Sequence, residues 1–97
     1  MKKIYLQEFS DNIRTIKSNK PLEFIVNQTN AGYEAENTQF DIFVFGSTEE
    51  ELNKEIQYDI AYIWQQFADE EDRNLDDAAI KLKKMLLETF IEVSKNI

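Results

Sequence analysis

The chain has 97 residues, of which 42% are hydrophobic and 12% aromatic, and its net charge is −8. A chain of this length has room for one domain with a modest core, and disordered acidic chains are poor in aromatic residues. There is no Cys and no His. This excludes disulfides and thiol nucleophiles, and it removes the commonest general base and zinc ligand. We therefore expect one folded domain over residues 1–97, without a cofactor, and an enzyme is the least expected class.

The acidic residues are concentrated in one region of the chain. Between residues 46 and 77 there are eleven acids against two bases, Lys54 and Arg73, a local balance of −9. Such a region repels the phosphates of nucleic acids and attracts basic surfaces. We expect no direct contact with nucleic acid and, if the chain has a partner, a basic one. The alternative is that the acids only keep a small domain soluble.

The first predicted element is a helix over residues 4–18. Four apolar residues recur at intervals of three, four and three: Leu6, Phe9, Ile13 and Ile16. This spacing is typical of one apolar helix face, and a strand over 3–7 is the alternative. Pro21 ends the helix, because the residue before a proline is pushed out of the helical region. The segment turns polar before an export signal develops, and no apolar run is long enough to span a membrane, so we expect a cytoplasmic protein.

Three strands are predicted next. Residues 22–26 are rich in β-branched and aromatic side chains, and residues 29–32 supply the turn of a hairpin. Residues 33–36 then alternate between polar and apolar, as a half-exposed strand does. Residues 42–45 are apolar on both faces, which predicts that the chain's own helices or a second subunit cover this strand on both sides.

A helix over residues 48–68 follows the strands. Ser47 and Thr48 are each followed three residues later by Glu, so a capping box can begin the helix in either register. Its apolar residues recur at intervals of four, four, three and four: Leu52, Ile56, Ile60, Ile63 and Phe67. This stripe predicts a helix face packed on the sheet, with Trp64 at the rim of the core.

The last predicted element is a helix over residues 76–95, which begins at an Asp76 cap after the polar break 69–74. One apolar stripe of this helix contains Ala79, Leu82, Leu86, Phe90 and Val93. A second stripe, about 100° away, contains Ile80, Leu87 and Ile91. Since a surface helix needs only one stripe, we expect the second to pack either on the N-terminal helix or on another chain. The second possibility makes a homo-oligomer an alternative.

The candidate partner-binding face lies on the 48–68 helix. Tyr58 and Tyr62 are one turn apart and point away from its apolar stripe, beside Glu55 and Asp59. Aromatic residues flanked by acids on an exposed helix face suit a basic protein partner. Alternatively, the C-terminal helix covers both tyrosines, and Asp59 only borders the core.

The acids do not form a predicted metal site. Alternation places Glu34 and Glu36 on one face of their strand, which is the pattern of an ordinary solvent-facing strand. The run 69–72 lacks the glycine and the ligand spacing of a calcium loop. No nucleophile and base are visible as a pair. We therefore predict no catalytic and no metal-binding residue.

Three short runs in the middle of the chain form a recognisable pattern: Gly32-Tyr33-Glu34-Ala35-Glu36, Asp41-Ile42-Phe43-Val44-Phe45-Gly46-Ser47-Thr48 and Glu50-Glu51-Leu52. With these runs, residues 22–68 resemble the HicB-like fold, the partial RNase H-like domain of type II antitoxins. The chain departs from the pattern of that family at Thr38, near the place of its loop proline, and at Ser47, which replaces its Asp.

The resemblance implies a three-stranded antiparallel sheet with a packed helix and, as partner, a small basic toxin of the HicA type. HicB-like antitoxins often carry a DNA-binding segment as well. Here the segment after Phe67 is acidic and then a single amphipathic helix, so the resemblance does not imply DNA binding for this chain. We accordingly predict an α+β protein in which N- and C-terminal helices complete the three-stranded sheet. Its expected function is that of a non-catalytic protein-binding module, without contact to nucleic acid or membrane. The alternatives are an acidic inhibitor from a mobile element that mimics nucleic acid, and a homo-oligomeric protein of unknown role.

Overall fold

The structure, a computed structural model, describes residues 2–11 and 14–95. In this part of the chain an antiparallel sheet carries two α-helices, so the predicted α+β class is confirmed. The strands are β1 (Lys2–Ser10), β2 (Arg14–Thr29), β3 (Gly32–Asn37), β4 (Ile42–Gly46) and β5 (Phe90–Lys95). The helices are α1 (Glu49–Ile63) and α2 (Asp77–Thr89). A π-helical turn, Trp64–Ala68, extends α1, and a short 3-10 turn, Asp72–Asn74, precedes α2.

The long strand β2 organises the sheet, whose strand order is β1-β2-β3-β4. On one side β1 accompanies both halves of β2. On the other side the first half of β2 pairs with β5 and its second half pairs with β3. Among the described residues, β1 and β4 therefore form two borders of the sheet.

Local sequence explains the two turns of the β2-β3-β4 meander. Gly32 has a φ of +148°, and a Cβ at this position would lie 2.5 Å from the carbonyl oxygen of Gly46, so only glycine fits. In the next turn the buried Asn37 side chain donates to the Glu23 carbonyl at 2.9 Å and accepts from the Phe40 amide at 2.8 Å. The predicted hairpin at 29–32 is present.

Two side-chain caps fix where the helices begin. The Thr48 hydroxyl accepts from the Glu51 amide at 3.1 Å, and the Glu51 carboxylate accepts from the Ser47 amide at 3.1 Å. Of the two predicted registers, the one with Thr48 as the cap is therefore the right one. The Asp76 carboxylate accepts from the Ala79 amide at 2.8 Å, which confirms the predicted cap of α2.

The core joins both ends of the chain through aromatic contacts. Phe9 of β1 packs edge-on against Phe90 of β5, with ring centroids 5.3 Å apart, and against Trp64, at 6.1 Å. Trp64 is buried and belongs to the core, not to its rim as predicted, although its indole Nε1 has no hydrogen-bond partner within the described residues. Leu52, Ile56 and Ile60 are buried as predicted, with the partly buried Ile63 and Phe67 packed against the core.

The predicted N-terminal helix is wrong, and the alternative strand is right. A register shift between Leu6 and Glu8 places both Leu6 and Phe9 on the buried face of β1, although they are three residues apart. This irregularity imitates helical spacing in the sequence. Pro21 lies inside the 16-residue strand β2. Ile13, the third residue of the supposed stripe, lies outside the described residues.

The predicted C-terminal helix is six residues too long, because α2 ends at Thr89 and the chain continues as β5. Strand β5 pairs with the first half of β2, and Phe90 is buried while Ile91, Glu92 and Val93 are exposed. The sheet consequently has five strands where three were predicted. Phe90 and Ile91 belong to a strand, so the two predicted helical stripes end within α2.

The two faces of the sheet are covered differently. Helix α1 packs on the face that carries the core. On the opposite face, which we call the open face, Phe43 and Phe45 of β4 are 60% and 46% exposed. The described residues thus cover β4 on one face only, whereas the sequence predicted cover on both by helices or a second subunit. In the same part of the chain, neither helix has the length and apolar character needed to cross a membrane.

Candidate functional site

A groove runs between the border strand β1 and helix α1. At one end the Lys2 ammonium lies 3.2 Å from the Glu49 carboxylate. Further along, the Gln57 side-chain amide donates to the backbone carbonyl of Glu8 at 3.2 Å. The strand and the helix therefore run side by side in the same direction, and we call the space between them the β1–α1 groove.

Three cavities lie along this groove. The largest has a volume of about 710 Å³, within the range of roughly 300–1,000 Å³ that is usual for ligand sites. It is lined by Ser10, Asp11, Glu50, Asn53, Lys54, Gln57, Tyr58, Ala61, Tyr62 and Gln65. Two smaller cavities continue toward the start of β1, and both are also lined by residues of β1 and α1.

The helix side of the groove follows from the sequence period of α1. Asn53, Gln57, Ala61 and Gln65 recur every four residues, so they form one row along the helix. Their neighbours Tyr58 and Tyr62 are 76% and 55% exposed. The groove thus combines amide side chains, which offer both donors and acceptors, with two uncovered aromatic rings.

An ion cluster around Arg14, whose side chain is only 13% exposed, lies at the far end of the groove. The Arg14 guanidinium donates to Asp11 at 2.9 Å and makes two hydrogen bonds to Asp69, one of them at 2.8 Å. Glu92 of β5 lies 3.9 Å from the same guanidinium. The hydrogen bond with Asp69, followed by that with Asp11, raises the pKa of Arg14, against the effect of its burial. The cluster ties the start of β2 to the end of the α1 region and to β5.

The acids near the groove differ in how far they are neutralised. In the run 69–72, Asp69 is paired with Arg14, Glu71 with Arg73 at 2.6 Å, and Asp72 with Lys83 at 2.9 Å. On α1, Glu50 faces Lys54 at 3.7 Å in a pair whose side chains are both largely exposed, so this pair is weak. The pair of Glu71 and Arg73 is also exposed, so acids of both α1 and the 69–72 run are available to a partner.

Two carboxylates of α1 have opposite pKa shifts. Burial, reinforced by the charge of Glu55, raises the pKa of Asp59 above its ordinary value. The hydrogen bonds from Ser47 lower the pKa of Glu51, which is fully exposed. The ionised form of Asp59 is therefore destabilised in the folded chain, whereas the anion of Glu51 is stabilised by the hydrogen bonds that complete the helix cap.

The structure brings together only part of the predicted partner face. Tyr58 and Tyr62 line the groove and are not covered by the C-terminal helix, so that alternative is wrong. Glu55 and Asp59 do not line it and lie on the other flank of α1.

The second predicted stripe is separate from the groove. Ile80 is partly buried, whereas Leu87 and Ile91 are 51% and 52% exposed at the end of α2 and the start of β5. None of the three lines the groove cavities. The proposed contact of this stripe with an N-terminal helix is wrong, since that segment is strand β1.

Sequence reasoning missed the strand side of the groove and its amide row. Ser10 and Asp11 become visible as site residues only once β1 is a strand beside α1. The row of Asn53, Gln57 and Gln65 was a usable signal, since amides recurring at multiples of four on a helix share one face.

Within residues 2–11 and 14–95, no group of three or more acidic side chains is arranged to hold a metal ion. Comparisons with known protein families, with curated proteins and with solved structures gave no match for this chain.

Proposed function

We propose that this chain is a non-catalytic protein-binding module that takes a small basic protein in the β1–α1 groove. The observation that carries the proposal is the pair of exposed tyrosines, Tyr58 and Tyr62, over the largest cavity. Tyrosine is enriched at the energetic centres of protein interfaces, because it combines a large apolar area with a polar tip.

Charge determines the class of partner that we propose. The bases at the groove, Lys2 and Lys54, already face acids of α1. The chain has a net charge of −8, so a basic partner is attracted and an acidic one is repelled. A Lys or Arg side chain can also lie across the face of an exposed tyrosine ring, which adds a cation–π contribution.

The order of elements in the middle of the chain supports a relationship to HicB-like antitoxins. The second half of β2, then β3, β4 and α1 follow one another as strand, strand, strand and helix. On this proposal, β1 and β5 extend such a unit, and the partner is a basic toxin of the HicA type. The chemistry of the groove requires only that the partner be small and basic.

The proposal is tested by capture from a lysate of the source organism, followed by mass spectrometry. Three baits are compared: the natural chain, a groove variant (Glu50→Lys, Tyr58→Ala, Tyr62→Ala) and an open-face variant (Glu34→Lys, Phe43→Ala, Phe45→Ala). Both variants change one acid and two aromatic residues, and all six positions lie outside the buried core.

We expect a basic protein in stoichiometric amount on the natural chain and on the open-face variant, and its loss from the groove variant. Retention by the groove variant, or capture of no basic protein by the natural chain, would reject the proposal. Circular dichroism of the three baits serves as the folding control.

A homo-oligomer is the second candidate, and the exposure of Phe43 and Phe45 on the open face favours it. Two exposed phenylalanines side by side on a border strand are an unusual surface for a monomer. Sedimentation of the natural chain and of Phe43→Lys distinguishes this candidate: a dimer that the substitution converts to a monomer supports it, and a monomeric natural chain rejects it.

A further inference from the structure

We infer that the occupant of the β1–α1 groove is an extended segment of the partner that carries Lys or Arg and adds to the sheet as a new strand beside β1. This inference rests on the proposed function, because it assigns the part of the basic partner that binds and the way in which it binds. Three features of the described residues lead to it.

The first feature is that β1 is a border of the sheet. A border strand has backbone N–H and C=O groups on its outer edge that no neighbouring strand satisfies. At Glu8 the carbonyl accepts a hydrogen bond from the Gln57 side chain at 3.2 Å, so this backbone group is turned toward α1. The backbone N–H of an added strand can replace the Gln57 side chain as the donor to this carbonyl.

The second feature is the shape of the space beside β1. Residues of β1 between Lys2 and Ser10 line one side of the three cavities and residues of α1 line the other. Asp11, just after β1, also borders the largest cavity, and Phe24 and Val26 of β2 border the two smaller ones. A strand rises about 3.3 Å per residue and lies about 4.8 Å from its neighbour, so an extended segment is the element whose shape matches a long groove beside a strand. Addition of a strand between a sheet edge and a helix is a recurring mode of peptide recognition.

The third feature is the chemistry of the groove wall. Along a strand, alternate side chains point to opposite sides, so every second side chain of the segment faces α1. There it meets the rings of Tyr58 and Tyr62 and the carboxylate of Glu50, whose exposed pair with Lys54 is weak. Lys and Arg suit this wall, since their aliphatic stems pack on aromatic rings while their charged ends reach a carboxylate.

Strands β4 and β5 also have an edge that pairs with no described strand, but both lack these features, and no residue of β5 lines the cavities. No residue of β4 lines any of the three cavities. The strand itself, Ile42–Gly46, contains no charged residue, so it offers nothing that selects a basic segment. The groove side of the sheet is therefore the edge that fits a basic strand.

The test uses synthetic peptides and the full chain. The probe is acetyl-TKVKVRVKT-amide, which alternates basic and β-branched residues, and its affinity is measured by calorimetry at low salt. Two N-methylated derivatives of the probe carry methyl groups on alternate backbone nitrogens, one derivative on each edge of the extended peptide. Because alternate N–H groups point to opposite edges, methylation of one edge removes the donors to β1 and methylation of the other leaves them.

We expect the probe to bind. One N-methylated derivative should bind at least tenfold more weakly than the probe, and the other should bind within about threefold of it, because several backbone hydrogen bonds are lost on one edge only. In NMR spectra of the complex, the amides of β1 and α1 should shift. Equal effects of the two methylations, or no binding up to about 1 mM probe, would overturn strand addition.

The two proposals fail in different ways. In one outcome, both N-methylated derivatives bind as well as the probe, and the Tyr58→Ala, Tyr62→Ala variant binds none of the three peptides. Strand addition is then wrong, but the groove still binds basic protein. If the natural chain also retains no basic protein from lysate, the proposed function fails with it.

Discussion

The β1–α1 groove and the open face of the sheet are two exposed surfaces with different chemistry. The groove has amide side chains, two tyrosines and acids on its borders, whereas the open face exposes two phenylalanines of β4. A polar, charged surface selects a partner by complementarity, and an apolar one does not discriminate by charge. On our proposal, the groove is the surface for a specific basic partner, and the open face is the surface that a second copy would use.

The largest expected effect comes from the ion cluster that holds the end of the groove. Arg14→Gln removes the cation among Asp11, Asp69 and Glu92, and the Asp11 side chain is only 4% exposed. Loss of the three charge-assisted hydrogen bonds that the Arg14 guanidinium donates to Asp11 and Asp69 is expected to lower the free energy of unfolding by about 3–5 kcal/mol. Urea denaturation measures this.

The matched control is Arg73→Gln, since Arg73 pairs with Glu71 at the surface. We expect it to change the stability by no more than about 0.5 kcal/mol. A similar loss from both substitutions would mean that the Arg14 cluster has no special role in holding the groove.

The end of α2 gives the next largest effect. Leu86 is fully buried and Leu87 is half exposed. Leu86→Ala is expected to lower the free energy of unfolding by about 2–5 kcal/mol, because it leaves a cavity in the core. Leu87→Ala is expected to change it by no more than about 0.5 kcal/mol. A large loss from Leu87→Ala at low protein concentration would show that the second apolar stripe is packed within the chain.

The tyrosines distinguish the two surfaces by binding. Tyr58→Ala with Tyr62→Ala is expected to weaken binding of the basic partner by at least tenfold, which corresponds to about 1.4 kcal/mol, because both rings lie over the cavity. Phe43→Ala with Phe45→Ala is expected to leave the affinity within about twofold. Calorimetry at two salt concentrations measures both, and equal losses would remove the distinction between the surfaces.

Phe43→Lys tests the open face without disturbing the core. Since Phe43 is 60% exposed, the substitution should change the free energy of unfolding by no more than about 0.5 kcal/mol. Any self-association that sedimentation detects in the natural chain should weaken. If self-association persists unchanged, a surface other than the open face mediates it.

The smallest effect concerns the two carboxylates with opposite pKa shifts. Because the pKa of Asp59 is raised in the folded chain, its ionisation destabilises the fold above that pKa, and this cost disappears as the pH falls below the ordinary pKa of Asp. Asp59→Asn should therefore raise the melting temperature at pH 7, and the gain should vanish at low pH.

Glu51→Gln should have the opposite sign. The lowered pKa of Glu51 means that its anion stabilises the fold above the ordinary pKa of Glu, and this contribution is lost as the pH falls through the lowered pKa. The substitution should lower the melting temperature at pH 7 and have no effect in acid. Melting curves between pH 2 and pH 7 check both signs, and effects of equal sign would contradict the assigned causes.

The sequence was informative where structure depends on local signals. The turn before Gly32, the caps at Thr48 and Asp76 and the buried stripe of α1 all arise from residues a few positions apart. Such features are encoded in spacing and residue type, which is why they could be predicted.

The terminal strands depend on distant partners: the sequence offered β1 only as the alternative to a helix, and it did not predict β5. The register shift after Leu6 imitates a helical interval in β1, and β5 forms because the first half of β2 offers it an edge. The two tyrosines were found from the sequence because they lie one turn apart on the same helix, whereas the groove was not found because it joins distant parts of the chain. A groove between β1 and α1 exists only when residues near Glu8 and Gln57 meet, which local spacing cannot reveal.

Amide hydrogen exchange with and without the bound basic partner tests the central claim most directly. If the partner binds in the β1–α1 groove, exchange should slow in β1 (Lys2–Ser10) and in α1 (Glu49–Ile63), while β4 (Ile42–Gly46) should exchange as in the free chain. Slower exchange in β4, with β1 and α1 unchanged, would contradict the groove as the binding site and assign the partner to the open face.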